Sequence, residues 1–386
     1  MKVGIVAGEK SGDYLGAELI RSLKLRYPEA EFVGLCGPLM QSEGAQTLAE
    51  MDKISIMGFV EVIPAIRDIL SIRKKLKNYF LEWQPDVFIG IDVPDFNLAL
   101  ERTLKQAGIP TVHYVSPTVW AWRSGRIKKI RKAINLMLTL FPFEADFYRR
   151  HDTPVKYVGH PMAKTALSWQ ADIELSDEYN DPNTKLIALL PGSRMSEVSR
   201  LAPIMLEGAR QLSQLYPNLR FVIPAASKKL KRYIIEDLAL IESPVELIDG
   251  HSQDILSLCD LTVLASGTAA LEAGLFAKPM VVMYKVSKLS ELIARPMMVV
   301  KHFSMPNHLT DPPAVTELIQ RAANADNMVK EVCKLLDDQQ YYQSMKIALS
   351  EIAPRLNEDS GELACDAIEA LLANNNKIQA NSVNDS

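Results

Sequence analysis

Short apolar runs alternate with segments of helical periodicity along the first half of the chain. The runs are KVGIVAG, FVGLCG, DVFIGID, TVHYVS and LMLTLF, and the segments between them carry apolar residues at helical spacing. This alternation predicts repeated βαβ units. Because the apolar runs are nearly continuous, their strands are expected to form a parallel sheet with both faces covered.

A polar segment, 168–185, separates this half from a second series of the same kind. The later apolar runs are LIALLPG, RFVIPA, VELID, LTVLAS and PMVVMY. The pattern therefore predicts two doubly wound α/β domains, over 1–167 and 168–340, with a cleft between the carboxyl edges of their sheets. After about residue 313 the pattern is only helical, and the C-terminal helices are expected over 341–373, with packing against the first domain as one option. The polar tail 374–386 is predicted to be disordered.

Composition agrees with a two-domain protein in a reducing compartment. The 386 residues are 48% apolar and 23% charged, which is ordinary for a water-soluble chain and too long for one core. The four cysteines are far apart, no secretory signal precedes the first strand, and no apolar run reaches the roughly 18 residues of a membrane-spanning helix. We therefore expect a cytoplasmic protein. Although the net charge is −4, residues 1–165 hold 23 Lys and Arg against 18 Asp and Glu, so the first half is expected to face something anionic.

The stretch LTVLASGTAALEAGLF places a hydroxyl-rich turn between a strand and an alanine-rich helix. Unpaired N–H groups at the start of that helix, together with the hydroxyls of Ser266 and Thr268, would form a phosphate or diphosphate site. Gly267 would let the backbone approach the ligand, and Glu272 would accept hydrogen bonds from a ribose. The alternative is an ordinary helix cap with a solvated Glu272.

A second strand-to-helix turn, in LIALLPGSRMSEV, carries Ser193 and Arg194. A guanidinium at the carboxyl edge of a sheet would neutralise a leaving phosphate and bind two of its oxygens. A solvated salt bridge is the usual role of one loop arginine. Two turns of this kind in one domain nevertheless favour a shared diphosphate ligand.

The first domain offers polar residues after two of its strands. Glu9, Ser11 and Asp13 follow the first strand in VAGEKSGDYLG, which matches neither the dinucleotide fingerprint nor the P-loop, so they are candidates for the hydroxyls of a sugar acceptor. Acids in the first turn of a helix after a glycine turn are an equally good interpretation. In FIGIDVPDFNL, Asp92 ends a strand and is the candidate general base for a hydroxyl nucleophile, whereas Asp95 is interpreted as a helix cap.

Two segments combine apolar or aromatic residues with basic ones. HYVSPTVWAWRSGRIKKIRK includes His113, a further acceptor-side candidate, and the basic cluster 123–132. Because the isoelectric point is about 6.0 and no RNA-binding signature occurs, a phosphate or lipid headgroup is favoured over nucleic acid, with a solvated basic helix as the alternative. The segment 54–80 is predicted to lie at a membrane interface, or to pack on its own sheet. Its membrane-facing candidates are Met57, Phe59, Val60 and Ile63.

Nine short segments occur in a fixed order over about residues 3–320. They are AGEKSGDYLGAELI, MGFVEV, GIDVPDFN, HYVSPTVWAWR, PFE, VGHPM, LLPGSR, ASGTAALE and PN, and together they resemble the lipid-A-disaccharide synthases. The resemblance implies a GT-B glycosyltransferase, with two Rossmann-like domains facing a cleft, that inverts the anomeric centre. It implies transfer of 2,3-diacylglucosamine from its UDP derivative to 2,3-diacylglucosamine 1-phosphate, giving a β-1,6-linked disaccharide 1-phosphate and UDP. No cofactor or metal is expected, which agrees with the scattered histidines and the lack of an Asp-x-Asp pair.

Carried over by position, the resemblance assigns the family's functional residues. The catalytic positions fall on Asp92 and Arg194, and the nucleotide-binding positions fall on Ser266, Gly267, Thr268, Glu272 and Asn307. The sequence has GHP where some members have GHT, and the segment MPNHLTDPPAVTELIQ departs from the family pattern, so roles for Glu317 and Gln320 are left open. The expected partners are the two lipid substrates and an anionic membrane surface, with peripheral association with the inner membrane. A homodimer is left open, and nucleic acid is not expected.

Three other functions are kept as alternatives. Another UDP-sugar enzyme, such as the peptidoglycan glucosaminyltransferase or a UDP-sugar epimerase, would share the second domain but lack the apolar-basic segments 54–80 and 293–303. A nucleotide-sugar or membrane-binding module would not depend on Asp92. An RNA-binding protein would bind RNA with a strong salt dependence.

Overall fold

The computed structural model describes residues 1–51, 54, 59–121, 124–173, 183–236, 244–287 and 301–384. Contacts within the chain divide it into two compact units, Met1–Pro161 with Leu356–Ser386, and Met162–Arg355. The first division falls shortly before the boundary expected at 167/168. The helices expected as one C-terminal group are divided between the two units.

The first unit contains, within the described residues, a seven-stranded parallel sheet. Its strands are β1 (Lys2–Ala7), β2 (Glu31–Leu35), β3 (Gln46–Thr47), β4 (Val87–Ile91), β5 (Thr111–Tyr114), β6 (Leu136–Thr139) and β7 (Val155–Tyr157). Their order is β3-β2-β1-β4-β5-β6-β7, so the direction of winding reverses between β1 and β4. The short strands β3 and β7 add to the five expected from sequence, because two or three exposed or half-exposed residues form no apolar run.

Helices cover this sheet on both faces, which explains why β4 is buried at every position. They are α1 (Lys10–Arg26), α2 (Pro38–Ser42), α3 (Phe59–Trp83), α4 (Pro94–Gln106), α5 (Ile127–Ala133) and α6 (Pro142–Arg149). Right-handed crossovers place α1 and α2 on one face and α3, α4 and α5 on the other. The contacts agree, since α1 packs against α2, and α4 packs against both α3 and α5.

The last helix of the chain also belongs to the first unit. This helix, Ser360–Asn384, packs along α1. At its start Arg26 binds three of its carboxylates, those of Glu362, Asp366 and Glu369. The structure corrects the disordered tail expected at 374–386, because the helix continues to Asn384. Because the first turns of this helix are anchored on α1, each further residue adds a backbone hydrogen bond, and the free-energy cost of helix nucleation does not arise again.

The second unit contains, in its described part, a six-stranded parallel sheet. Its strands are β8 (Lys185–Leu190), β9 (Leu219–Ala225), β10 (Val245–Asp249), β11 (Leu261–Ala265), β12 (Met280–Tyr284) and β13 (Thr316–Ile319). The order is β10-β9-β8-β11-β12-β13, so winding reverses between β8 and β11. The strand β13 corrects the purely helical pattern expected after about residue 313. Four residues with one buried position carry no strand signal of their own.

The helices described for the rest of the chain complete these layers. They are α7 (Pro161–Leu167), α8 (Met195–Leu215), α9 (Lys228–Glu236), α10 (Ser252–Leu258), α11 (Thr268–Leu275), α12 (Met305–Leu309), α13 (Ala325–Asp337), α14 (Gln339–Ser350) and α15 (Ile352–Leu356), before the C-terminal helix α16 (Ser360–Asn384). In the part of the chain that the structure describes, none of the helices combines the length and apolar content needed to cross a bilayer.

Candidate active site

Four loops at the two winding reversals carry the main residues predicted from sequence. In the first unit, the loops after β1 and β4 carry Glu9 and Asp92. In the second unit, the loops after β8 and β11 carry Arg194 and Ser266. At such a reversal the helices that follow two neighbouring strands leave to opposite faces, which opens a crevice at the carboxyl ends of the strands. Each unit therefore has candidate residues where its topology favours ligand binding.

Asp92 occupies a strained turn between β4 and α4. Its φ is 52° and that of Val93 is 42°, in the left-handed region where a non-glycine residue costs about 1–2 kcal/mol. The Asp92 N–H donates to the carbonyl of Tyr114 at 2.9 Å, and the Asp92 carbonyl accepts from the Asn97 side chain at 2.8 Å. Its half-buried carboxylate has no hydrogen-bond or ion-pair partner among the described residues. The backbone is held on both sides while the carboxylate is left for a ligand.

Gly8, at the end of β1, makes room for this turn. A Cβ at Gly8 would lie 2.5 Å from Cγ2 of Val93 and 3.0 Å from Cδ1 of Ile54. The lack of a side chain at Gly8 therefore leaves room for the Val93 side chain. It joins the loop after β1 to the turn that carries Asp92.

The three acceptor-side candidates after β1 have different surroundings. Ser11 is exposed, and Glu9 is the half-buried residue before α1. Asp13 is only 3% exposed, and its two carboxylate oxygens accept from the backbone N–H groups of Leu39 and Met40 at 2.9 and 3.0 Å. The Asp13 carboxylate thus caps the start of α2, and its expected contact with a sugar stays a prediction. Glu9 and Ser11 stay predictions.

His113, the fourth acceptor-side candidate, is fully buried in β5. Its Nδ1 lies 2.7 Å from Oε1 of Glu101, which is also fully buried. Burial raises the pKa of the Glu101 carboxyl, and the neighbouring imidazole lowers it to a smaller extent. The His113 side chain therefore has no exposed surface, and its acceptor-side assignment stays a prediction.

Ser193 and Arg194 lie just before α8, and Arg194 is its N-cap residue. Gly192 before them has a φ of 124°, which glycine tolerates and other residues rarely adopt. Glu197, in the first turn, accepts from the Ser193 N–H at 3.1 Å and lies 3.4 Å from Nη1 of Arg194. Such an exposed ion pair contributes little free energy. Since the Arg194 side chain is 49% exposed, its guanidinium is accessible to an anion at this sheet edge.

The turn after β11 presents a helix start to solvent. Gly267 and Thr268 are exposed, and a Cβ at Gly267 would meet no atom within 4 Å, so packing does not require glycine there. The Ser266 hydroxyl donates to the carbonyl of Phe303 at 3.0 Å, so it ties the turn to a neighbouring loop. One turn into α11, burial raises the pKa of the Glu272 carboxyl to about 7.

Asn307, the other nucleotide-binding candidate, is 5% exposed and bonded within the second unit. Its amide donates to the carbonyl of Val315 at 2.9 Å and to Oε1 of Glu317 at 2.8 Å. Its side-chain oxygen accepts from the Val315 N–H at 2.9 Å. Both polar ends of the amide are thus occupied within the unit, and the expected contact with UDP stays a prediction.

Glu317, whose role the sequence leaves open, holds the loop that contacts the Ser266 turn. Its carboxylate accepts from the N–H groups of Phe303 and Ser304 at 2.9 and 3.0 Å, and from the Ser304 hydroxyl at 2.7 Å. Gln320 accepts from a backbone N–H just after β12. Glu317 lies in the unrecognised strand β13 and Gln320 directly follows it, so the sequence carried no signal for these contacts.

The membrane-facing candidates are only partly described. Met57 lies outside the described residues, and Phe59, Val60 and Ile63 lie in the first turns of α3, where only the backbone is described. Of the basic cluster, Arg123 is outside the described residues, and Arg126 binds Asp95. Asp95 therefore forms an ion pair instead of the expected cap.

A basic groove lies between α3 and α4. It encloses about 200 Å³ and is lined by Leu70, Arg73, Lys74 and Lys77 of α3 and by Ala99, Leu100 and Thr103 of α4. Ile66 and Leu70, one helical turn apart on α3, are each 47% exposed. The three cations have no ion-pair partner among the described residues. This surface joins exposed apolar side chains to unpaired positive charge.

Comparison of the sequence with known proteins identifies close relatives. Residues 3–368 match the profile of a family described as lipid-A-disaccharide synthetase. The relatives named lipid-A-disaccharide synthase include proteins from Hahella chejuensis (43% identity; 96% of this chain and 94% of the relative), Pseudomonas fluorescens strain Pf0-1 (44%; 96% and 98%) and Methylobacillus flagellatus (41%; 95% and 98%).

Solved structures share the fold at much lower sequence identity. They include a co-structure of Staphylococcus aureus MnaA with UDP (TM-score 0.64, 14% identity, 90% of this chain and 91% of that chain) and the glycotransferase of kitacinnamycin (0.63, 14%, 96% and 98%). Another is the UDP-GlcNAc 2-epimerase of Neisseria meningitidis bound to UDP-GlcNAc (0.63, 15%, 97% and 100%). This likeness concerns the fold alone, and it confirms the predicted GT-B class with two Rossmann-like domains.

Proposed function

Because the chain belongs to the lipid-A-disaccharide synthetase family and is a glycosyltransferase that forms the lipid A disaccharide, we propose that its two winding reversals divide this reaction between them. The reversal of the first unit activates the acceptor, and that of the second unit binds the diphosphate of the donor. The donor is UDP-2,3-diacylglucosamine, and the acceptor is 2,3-diacylglucosamine 1-phosphate. The products are the β-1,6-linked disaccharide 1-phosphate and UDP.

Asp92 is the general base of the proposed reaction. Its carboxylate takes the proton of the acceptor 6-hydroxyl while that oxygen forms a bond to the anomeric carbon of the donor. The bond from this carbon to the diphosphate breaks on the opposite side, so the configuration inverts and UDP leaves with the bonding electrons. The observation that carries the proposal is the Asp92 turn, where both backbone polar groups are bonded and the carboxylate has no partner among the described residues.

Arg194 and the start of α11 stabilise the leaving diphosphate. The exposed guanidinium of Arg194 and the N–H groups at the first turn beside Thr268 offer positive charge where negative charge grows as the bond breaks. Preorganised donors of this kind are each worth about 3 kcal/mol in a water-poor site. The half-buried Glu272 accepts hydrogen bonds from the ribose of the donor.

The protein meets its acylated substrates at a membrane surface. The groove between α3 and α4 supports this proposal, since it is lined by the exposed Leu70 and by three cations without an ion-pair partner among the described residues, and the exposed Ile66 lies one turn away on α3. Apolar side chains enter the headgroup region, while lysines and arginines are attracted to anionic lipids. The association is peripheral, on the inner membrane.

The reaction is tested with the purified protein and both substrates in detergent. We expect the disaccharide 1-phosphate and UDP in equal amounts, with a β configuration at the new linkage by NMR. Activity is expected to persist in EDTA, since the proposed stabilisation of the diphosphate comes from Arg194 and a helix start. No disaccharide, an α-linked product, or a loss in EDTA that added metal restores would each contradict part of the proposal.

A further inference from the structure

Behind the Asp92 turn lies a row of fully buried polar side chains that the proposed chemistry does not use. Asn97 and Glu101 lie one turn apart on α4, and His113 lies on β5; all three are 0% exposed. The Oδ1 of Asn97, the second carboxyl oxygen of Glu101 and Nε2 of His113 have no partner in the described part of the chain. Apolar residues of similar size would avoid the cost of burying such groups. Stability alone therefore does not explain the row.

Asn97 is bonded directly to the residue that ends β4. Its side-chain amide donates to the carbonyl of Asp92 at 2.8 Å, and it lies 3.3 Å from the carbonyl of Ile91 and 3.4 Å from that of Val6. One planar group thus joins the ends of the two strands at the winding reversal, β1 and β4. It also holds the carbonyl of a residue in the left-handed region, where the turn would otherwise relax.

Glu101 and His113 in turn fix the helix that carries Asn97. A Cβ at Gly90 would lie 2.2 Å from Oε1 of Glu101 and 2.9 Å from Cβ of Asn97, so β4 passes directly beneath both side chains. Gly90 pairs with His113 in the register of β4 and β5, and His113 contacts Glu101 at 2.7 Å. The contacts lock α4 against these two strands in position and rotation.

We propose that Asn97, supported by Glu101 and His113, is a positioning residue that fixes the direction of the Asp92 carboxylate. The proposal rests on Asp92 being the general base. Because reacting groups must be aligned closely, a small rotation of this turn lowers turnover much more than it lowers substrate binding.

The test compares variants of Asn97 with a variant of a matched buried polar residue, Thr111, in the sheet on which α4 packs. Asn97→Asp keeps the shape and removes the amide donors, and Asn97→Ala serves as a second variant if the first does not fold. Thr111→Val is the control, because Thr111 is 0% exposed and its hydroxyl donates to the Ala133 carbonyl at the opposite, amino end of β5. We expect the Asn97 variants to lose about 10- to 100-fold in kcat with KM values changed less than about threefold. Thr111→Val is expected to lower the melting temperature comparably with little loss of kcat.

Two further comparisons separate positioning from folding and from the base assignment. If Asn97 acts through Asp92, the double variant Asp92→Asn with Asn97→Asp turns over no more slowly than Asp92→Asn alone. Glu101→Leu is expected to lower kcat, and Glu101→Gln, which keeps a polar atom opposite His113, is expected to recover most of that loss.

Each outcome has a defined meaning. The positioning role would be overturned, with Asp92 left as the base, if the losses of kcat were additive in the double variant. It would also be overturned if kcat decreased in proportion to the melting temperature to the same degree in the Asn97 and Thr111 variants. Near-normal turnover of Asp92→Asn would instead overturn the base assignment and this inference with it.

Discussion

Asp92 and Arg194 differ from the other polar candidates in what their side chains bind. Asp13 and Asn307 have their side-chain polar groups engaged by other parts of the same unit, and His113 is fully buried with its Nδ1 against Glu101. The Asp92 carboxylate has no partner in the described ranges, and the Arg194 side chain is half-exposed with a long contact to Glu197. A residue that acts on a ligand must have a charged or hydrogen-bonding group that the ligand can reach in the folded protein.

The Asp92→Asn variant tests the base. We expect kcat to fall by about 100-fold or more, while UDP affinity and melting temperature stay near those of the parent protein, because the amide has the same shape and no partner is lost. Asp95→Asn is the matched control, since Asp95 is exposed and binds only the side chain of Arg126 among the described residues. Steady-state kinetics and calorimetric UDP titration measure both effects. Retained turnover in Asp92→Asn would exclude the assignment.

The Arg194→Ala variant tests the diphosphate site. UDP affinity should decrease and kcat should decrease further, on the order of 100-fold, because the diphosphate gains charge as the bond breaks. Arg210→Ala, on the same helix α8 and paired with Glu207 on the surface, is the control and should change neither quantity appreciably. Equal behaviour of the two variants would show that Arg194 is an ordinary surface residue.

At the scale of single elements, α6 contains a buried acid that makes stability depend on pH. Glu144 is 3% exposed and accepts from Nε1 of Trp120 at 3.2 Å and from the Phe141 N–H at 3.4 Å. Burial raises the pKa of its carboxyl from 4.5 to about 8, against the smaller lowering effect of these bonds. The folded protein therefore holds a proton that the unfolded chain has already released, and stability from this group is lost as the pH rises from 4.5 to about 8.

The Glu144→Gln variant isolates this effect, because glutamine stays neutral. Urea unfolding across this pH range gives the free energy of unfolding of both proteins. As the pH rises, this free energy should increase for the variant relative to the parent, and the difference should become constant above about pH 8. The total change is expected to be on the order of a few kcal/mol. Parallel pH profiles would contradict the raised pKa.

Elements differ in how well the sequence predicts them. The strands β1, β4, β8 and β11, which flank the winding reversals, are long apolar runs and are confirmed at the expected places. β3, β7 and β13 have two to four residues with little buried surface, so only their neighbours in the sheet define them. The helical continuation to Asn384 depends likewise on the contact of α16 with α1.

At the scale of the whole molecule, the distribution of charge gives a test of the proposed membrane association. The triple variant Arg73→Gln, Lys74→Gln and Lys77→Gln removes the cations of the groove between α3 and α4. It should bind phosphatidylglycerol vesicles at least about tenfold more weakly than the parent, since each cation near an anionic surface contributes about 1 kcal/mol. Cosedimentation measures the binding, with phosphatidylcholine vesicles as the uncharged reference.

A control variant of equal charge distinguishes the groove from net charge. Lys228→Gln, Lys229→Gln and Lys330→Gln remove three exposed cations of the second unit. This variant should bind phosphatidylglycerol vesicles about as well as the parent. If both triple variants lose the same affinity, binding follows the overall charge of the protein and the groove is not the membrane-facing surface.

The sequence by itself determined the two doubly wound domains, the family, and the strand ends where Asp92, Arg194 and the Ser266 turn lie. These follow from local information, because periodicity reports which faces are covered, and the carboxyl ends of parallel strands share one edge. Only the tertiary structure decided how each polar residue at those edges is buried and bonded. Asp13 meets the start of α2, His113 meets Glu101 of α4, and Asn307 meets Glu317 of β13. Burial and partners arise from elements packed together across the fold, so a side chain with the right chemistry in sequence becomes a site residue or a structural one according to what folds against it.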